Sequence, residues 1–188
     1  MIFFKRQRPE RPREAADRGQ RLDPHRLDVR LLQNGAVTLY YKHAILTEDA
    51  AWFEQAGYTA YVLDAARWTM PADFHAEAKR VLGFPDYYGG NLAAWVDCLG
   101  DLNVPQDGGA LIQLRHYDVF ARAQAQLAHT ILDSIESASR KALISGRRLL
   151  ALVQSDDPRI RFERVGALPV TWNPREWLDS DRGLRPAS

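Results

Sequence analysis

Residues 84–98 read FPDYYGGNLAAWVDC, and this stretch joins a loop to the start of a helix. Two adjacent tyrosines and a glycine pair favour the loop, in which one tyrosine is expected in the core and the other at the surface. Asn91 is a residue type that caps helix starts, so we predict a helix over residues 91–101. At about 100° per residue, its core-facing stripe is expected to consist of Leu92, Trp95, Val96 and Leu99.

The opposite side of the predicted helix is nearly bare and negatively charged. It is expected to consist of Gly90, Ala93, Ala94, Asp97 and Asp101. The chain has no Lys or Arg from residue 81 to residue 114, whereas this segment holds several aspartates, so its local field is negative. Both carboxylates lie near the helix C-terminus, where the helix dipole disfavours an anion by roughly 0.3 kcal/mol or more. Stability alone would not select them, so they are candidates for binding; the alternative is that they are solvated residues without a role.

Two segments with different composition precede this region. Residues 1–26 are rich in Arg, Pro and acidic residues and are predicted to form a disordered tail. Residues 27–57 predict an N-terminal addition that consists of a β-hairpin and a helix. Alternating apolar residues flank an Asn34-Gly35 turn, and Thr47 can cap a helix over about 48–56.

Strands and helices alternate from residue 58 to residue 154. We predict strands at 59–64, 110–115 and 149–154, with helices from Pro71 to Pro85, over the quoted stretch, at 117–128 and from Thr130 to Gly146. Parallel strands need long crossover connections, so this order predicts an α/β fold with a three-stranded parallel sheet and about four helices. Residues 155–188 are a C-terminal extension that could add one more strand.

Charge and cysteine content limit the class of protein. The net charge is only +1, which argues against a general nucleic-acid binder. The single cysteine, Cys98, cannot form an internal disulfide, which predicts an intracellular, cytoplasmic protein. The apolar run at the N-terminus is too short for a signal peptide, and no run approaches the length of a membrane span.

The segment FPDYYGGNLAAWVDCLGDL resembles the signature of the barstar family, which are intracellular protein inhibitors of barnase-like ribonucleases. The residues that carry the resemblance are Pro85, Asp86, Tyr87, Tyr88, Gly89, Asn91, Leu92, Trp95, Asp97, Cys98 and Leu99. The tryptophan lies one position earlier than in the family pattern. The likeness spans about residues 58–154, and it implies a barstar-like domain there.

The resemblance implies a protein that blocks an enzyme's active site. In the family, the Asp that matches Asp97 inserts among the basic groups of the ribonuclease, where substrate phosphate would lie, and the matches of Tyr87 and Asn91 line the contact. A site that holds RNA phosphate is cationic, so an acidic helix complements it. The expected partner-binding residues are Tyr87, Asn91, Asp97, Gly100 and Asp101, and no catalytic residue, metal or cofactor is expected.

Some positions depart from the family pattern. Ala93 stands where a second helical Asp is usual, Gly100-Asp101-Leu102 replaces Thr-Gly-Trp, and Lys141 falls on or near a glutamate of the last helix. Asp101, one turn after Asp97, can replace a missing carboxylate. These departures concern the identity of the partner, which is a barnase-like ribonuclease or, alternatively, another toxin or regulatory target that is not a ribonuclease.

Two other classes of function find less support. The five histidines (His25, His43, His75, His116 and His129) show no metal-ligand spacing such as H-E-x-x-H. His116 and Asp118 could form an acid–base pair, but a surface histidine is the simpler interpretation. A nucleic-acid module is favoured only by the tail arginines and Arg147-Arg148, and the acidic helix would oppose that role.

Overall fold

The computed structural model of the protein describes residues 23–185, so residues 1–22 of the predicted tail lie outside the described part. Within residues 23–185 the chain forms six α-helices and five β-strands. In chain order these are α1 (Leu27–Leu32), β1 (Val37–Tyr40), α2 (His43–Gln55), β2 (Tyr58–Asp64), α3 (Pro71–Leu82), α4 (Leu92–Gly100), β3 (Gly109–Arg115), α5 (Tyr117–Ala123), α6 (Ala125–Ile144), β4 (Leu149–Gln154) and β5 (Thr171–Trp172). A short 3₁₀ turn, Ala65–Arg67, follows β2.

All five strands lie in one parallel sheet, in the order β2-β3-β4-β1-β5. Strand β4 is central, with β3 on one side and β1 on the other. The α/β class and the three predicted strands β2, β3 and β4 are confirmed. The predicted size of the sheet is wrong, because β1 and β5 extend it to five strands.

The sheet is covered on both faces by helices. In β4, Leu149, Ala151 and Val153 face one core, while Leu150 and Leu152 face the other. Helices α3 to α6 cover the first face, and α1 and α2 cover the second. Every side chain of β4 is buried, as a continuous apolar run in the middle of a parallel sheet requires.

The predicted hairpin before residue 42 is wrong. Residues Leu27–Leu32 form helix α1, and Leu31 packs into the second core. Strand β1 pairs in parallel with β4, from Val37↔Ala151 to Tyr40↔Gln154. All four side chains of β1 are buried. A segment that is apolar on both faces is better buried inside a covered parallel sheet than in an isolated hairpin, and this overrides the local turn signal.

Buried glutamates anchor β1 at both ends. The Ala36 N–H donates to Glu136 of α6 at 2.6 Å, and the N–H groups of Tyr41 and Lys42 donate to Glu176 at 2.8 and 3.0 Å. These acceptors satisfy backbone donors that would otherwise be buried without partners. The segments on either side of residues 58–154 are therefore built into the same sheet.

Several helix boundaries differ from the predicted ones. Helix α3 begins at Pro71 as predicted, but its last residue is Leu82, well before Pro85. Gly83 caps it with a φ of 67°, which suits a glycine. Helix α2 begins at His43, ahead of Thr47. Helix α6 begins at Ala125 and is 20 residues long. Within residues 23–185, none of the helices combines the length and the apolar character that a membrane crossing would need.

Candidate functional site

Helix α4 is fixed to the rest of the protein by one tryptophan. Trp95 is 1% exposed, and its Nε1–H donates to Ser134 Oγ of α6 at 2.6 Å. Its ring meets Phe74 of α3 edge to face, with centroids 4.9 Å apart. Leu99, one turn later, is also buried. These contacts set the rotation of α4 about its axis, and thereby decide which side chains point to solvent.

The two tyrosines before α4 have opposite environments, as the sequence predicted. Tyr88 is buried against Phe84, and its hydroxyl lies 2.5 Å from His75 Nδ1. Burial raises the pKa of Tyr88 to about 12 and lowers the pKa of His75, so a neutral phenol and a neutral imidazole share this hydrogen bond. Tyr87 is 82% exposed. The buried neighbour therefore holds the loop while Tyr87 extends into solvent.

Asn91 is the N-cap of α4. Its Oδ1 accepts a hydrogen bond from the Ala94 N–H at 3.0 Å, which satisfies one of the free donors at the helix start. The predicted capping role is confirmed. The side chain remains exposed, so its amide nitrogen can also meet a partner.

We call the solvent side of α4 the acidic face, and it consists of Ala93, Val96, Asp97, Gly100 and Asp101. All five of these residues are exposed. Val96 was predicted in the core but is 44% exposed, while Ala94 was predicted outside and is half-buried. The packing of Trp95 rotates the helix by a fraction of a turn relative to the hydropathy pattern. Val96 is thus a surface residue that hydropathy alone misassigned, and its spacing of three residues from the exposed Ala93 places the two on the same side of the helix.

The carboxylates of the acidic face are not neutralised by the rest of the described chain. Among residues 23–185, neither Asp97 nor Asp101 takes part in an ion pair. Burial, followed by the charges of Asp101 and Asp97, raises the pKa of the Cys98 thiol between them. The face therefore presents a negative potential to whatever approaches it.

Shallow grooves flank α4 on both sides. A groove of about 260 Å³ has Tyr87, Cys98 and Asp101 among its lining residues. A second groove, of about 220 Å³, has Gly100 and Lys141 among its lining residues. The structure thus places Tyr87 and Asp101 at one groove and Gly100 at the other. Asp97 lies on the helix that separates them.

Lys141, one of the positions that differ from the family pattern, lies next to the acidic face. Lys141 is exposed on α6 and lines the same groove as Gly100. A partner that contacts Gly100 would therefore meet a positive charge beside the negative helix. A β-carbon added at Gly100 would meet no atom within 4 Å, so its lack of a side chain leaves this end of α4 open to close approach.

The acid–base pair suggested for His116 and Asp118 does not form. The Asp118 carboxylate is buried and pairs with Arg122 at 2.6 Å. The His116 ring instead lies 2.7 Å from Asp64. Within residues 23–185, one group of side chains lies close enough together to hold a metal ion, and it comprises His43, His116 and Asp156. None of these residues belongs to the acidic face or to the grooves beside it.

Comparison with known proteins identifies the family of the segment that contains α4. A family model described as Barstar (barnase inhibitor) matches residues 58–154, just over half of the 188 residues. The match begins with β2, ends with β4 and contains the whole of α4. No curated protein matches the sequence. The chain therefore belongs to the barstar family.

Proposed function

We propose that this protein binds a barnase-like bacterial ribonuclease and blocks its active site with the acidic face of α4. Asp97 is the central anchor and takes the position of a substrate phosphate. Tyr87, Asn91, Gly100 and Asp101 surround it in the contact. The protein acts by occupying the cleft, so it needs no catalytic group of its own.

One observation carries this proposal: Asp97 is an exposed carboxylate that pairs with no cation among residues 23–185, on a helix face that also contains Ala93 and Gly100. Ribonuclease clefts hold phosphate and are lined by cations, so such a carboxylate gains partners when it enters. Because Ala93 and Gly100 are small, the walls of a cleft can approach the helix backbone. Tyr87, 82% exposed, offers a large rigid surface of the kind that anchors interfaces.

The test is inhibition of RNA cleavage by barnase, with the wild-type chain and Asp97→Ala. We expect the wild-type chain to inhibit. We expect Asp97→Ala to weaken the complex by about 2 kcal/mol or more, which is roughly a 30-fold loss of affinity. The association rate of the wild-type chain should also fall with added salt, since the attraction between acidic face and cleft is screened.

Glu54→Ala is the matched control. Glu54 is an exposed carboxylate in the last turn of α2, on the other side of the sheet. Its removal changes net charge as much as Asp97→Ala does but leaves the acidic face intact. Equal affinities for wild type, Glu54→Ala and Asp97→Ala would contradict the assignment of Asp97 as anchor.

A second candidate is an immunity or regulatory protein of the same binding mode whose partner is not a ribonuclease. The position of Lys141 at the groove beside Gly100 favours it, because the partner must then tolerate a positive charge there. A pull-down from the native host with wild type and Asp97→Ala as baits separates the two candidates. Ribonuclease activity in the fraction retained only by wild type supports the first candidate, and a retained protein without such activity supports the second.

A further inference from the structure

The carboxyl ends of four neighbouring strands bring together polar residues that are distant in sequence. Asp64 ends β2 and His116 follows β3. Asp156 lies just after β4, and His43 lies just after β1. These strands are adjacent in the sheet and run in the same direction, so their ends meet at one edge. Ligand sites of open parallel sheets lie at this edge.

Two imidazoles and one carboxylate converge at the edge. His43 Nε2 lies 3.4 Å from one oxygen of Asp156, and His116 Nε2 lies 3.8 Å from the other. One ligand atom from each of the three residues lies within 4.8 Å of the other two. Tetrahedral zinc, with bonds of about 2.0–2.1 Å, places its ligands about 3.4 Å apart. His43 is 58% exposed, so its ring is free to rotate and close the remaining gap.

The hydrogen bond to Asp64 selects the ring tautomer of His116 that a metal requires. His116 Nδ1 lies 2.7 Å from Asp64 Oδ1, so Nδ1–H donates to that carboxylate and Nε2 keeps its lone pair. The Gln154 amide nitrogen lies 3.3 Å from His43 Nε2 and 2.8 Å from Asp156. His43 Nε2 also lies 3.4 Å from Asp156 Oδ1, so this ring can accept from the amide or donate to the carboxylate. The His116 Nε2 lone pair and the Asp156 carboxylate thus lie beside His43 Nε2, which also offers a lone pair when His43 is protonated at Nδ1. A cation stabilises this arrangement.

The backbone of the cluster is held in place on several sides. His116 has a φ of 50°, in the left-handed region that side chains other than glycine uncommonly adopt. Its N–H donates to Gln154 Oε1 at 2.7 Å. The Asp156 N–H donates to the buried carboxylate of Asp118 at 3.0 Å. Two of the three proposed ligands therefore sit on a pre-positioned backbone.

We propose that His43, His116 and Asp156 bind one divalent transition-metal ion of the zinc class, and that Asp64 orients His116. Two imidazole nitrogens favour zinc or its neighbours over magnesium or calcium, which prefer oxygen ligands. Three protein ligands leave at least one coordination position open to water. The carboxylate–histidine–metal arrangement of Asp64 and His116 is the usual way in which proteins fix a ligating ring.

The metal site is independent of the proposed inhibition. The loop after α4 enters β3 at Gly109, whereas His116 follows the last residue of that strand, Arg115. The seven residues of β3 span about 20 Å at roughly 3.3 Å per residue. The two sites thus lie at opposite edges of the sheet, and variants at one should leave the other unchanged.

The test is calorimetric titration of zinc into the untagged full-length chain. We expect one saturable site in the wild-type chain. His43→Ala and His116→Ala should abolish it, and Asp64→Asn should weaken it by about 10- to 100-fold. Cobalt should give visible absorption bands in the wild-type chain but not in His43→Ala. His129→Ala is the control and should bind zinc as wild type does, because His129 is not part of the cluster and its ring hydrogen-bonds to the Arg164 carbonyl.

Folding is monitored in the same samples. Zinc should raise the melting temperature of the wild-type chain and of His129→Ala, but not that of His43→Ala. If His116→Ala fails to fold, the exposed His43 provides the decisive variant. The proposal is overturned if millimolar zinc gives no saturable heat and no shift in melting temperature, or if His43→Ala binds zinc as tightly as His129→Ala does.

Discussion

Asp97 and Asp28 are two carboxylates in opposite environments, one exposed and one buried. Asp97 is exposed without a cationic partner among residues 23–185, so its charge is available to another molecule. Asp28, on α1, is fully buried and accepts hydrogen bonds from Arg26, Tyr58 and the Val29 N–H. A residue type alone therefore does not predict a role. The surroundings decide whether a carboxylate is left free at the surface or stabilises the fold.

The buried carboxylate leads to a prediction about stability and pH. Arg148 Nε lies 3.2 Å from Asp28, so Asp28→Asn would leave a largely buried cation without its counter-charge. We expect a loss of about 3 kcal/mol in the free energy of unfolding at pH 7, measured by urea denaturation. Asp107→Asn, at an exposed loop position, should change it by less than about 0.5 kcal/mol.

The difference between wild type and Asp28→Asn should depend on pH. Burial acts to raise the pKa of Asp28, but the hydrogen bonds of Arg26 and Tyr58 outweigh burial and hold this pKa below its usual value. The stability that Asp28 contributes is therefore complete above the pKa of an unfolded aspartate, about 3.9. It is lost as pH falls from there through the lower pKa of the folded state. A difference that stayed constant from pH 7 to pH 3 would contradict this assignment.

One side of helix α4 packs into the core, whereas the charges on its other side destabilise the helix. Trp95 and Leu99 fix it to the core, whereas Asp97 and Asp101 place two anions at its C-terminal end. The dipole at that end is negative, and carboxylates four residues apart repel each other. Such a helix is better arranged for binding than for its own stability.

Replacing both carboxylates should therefore stabilise the free protein. For Asp97→Ala combined with Asp101→Ala, we expect the free energy of unfolding to rise by about 1 kcal/mol. The double variant removes the repulsion of each carboxylate by the negative end of the helix dipole and the repulsion between the two carboxylates. Alanine also has a higher helix propensity than aspartate. Urea denaturation measures this, with Asp107→Ala as a loop control. A double variant that is less stable than wild type would show that these carboxylates make stabilising contacts within the chain.

The whole molecule depends on segments outside the family match. Residues 27–57 supply β1, which pairs with β4, and α2, whose Phe53 covers the second face of the sheet. Without them β4 would become an edge strand that is apolar on both faces. Exposed edges of this kind pair with other chains and aggregate. The match to residues 58–154 thus marks the shared family region rather than a unit that we expect to fold alone.

A fragment comparison tests this dependence. The fragment 58–154 should aggregate or unfold without cooperativity, because Leu111, Leu150 and Leu152 would lose the helices that cover them. The fragment 23–185 should unfold cooperatively, as monitored by circular dichroism with urea. A monomeric 58–154 fragment as stable as the 23–185 fragment would show that the flanking segments do not contribute to the core.

Local patterns predicted the features that depend on neighbours in sequence. The Asn91 cap, the separation of Tyr88 from Tyr87 and the order of elements from β2 to β4 were all predictable, because each follows from spacing within a few turns or strands. The position of Val96 was not, because hydropathy cannot tell how far Trp95 rotates the helix. The His43–His116–Asp156 cluster was not predicted either, since its members are far apart in the sequence and form no metal-binding motif.

The amino-acid sequence by itself determined the α/β class, the family signature and the acidic helix, because these are properties of residue type and local period. Only the tertiary structure decided that residues 27–32 form a helix, that β1 lies between β4 and β5, and that two distant histidines face one aspartate. The physical reason is that such features arise from burial and pairing between segments far apart in the chain. These contacts stabilise the protein only when the distant segments have come together in the sheet.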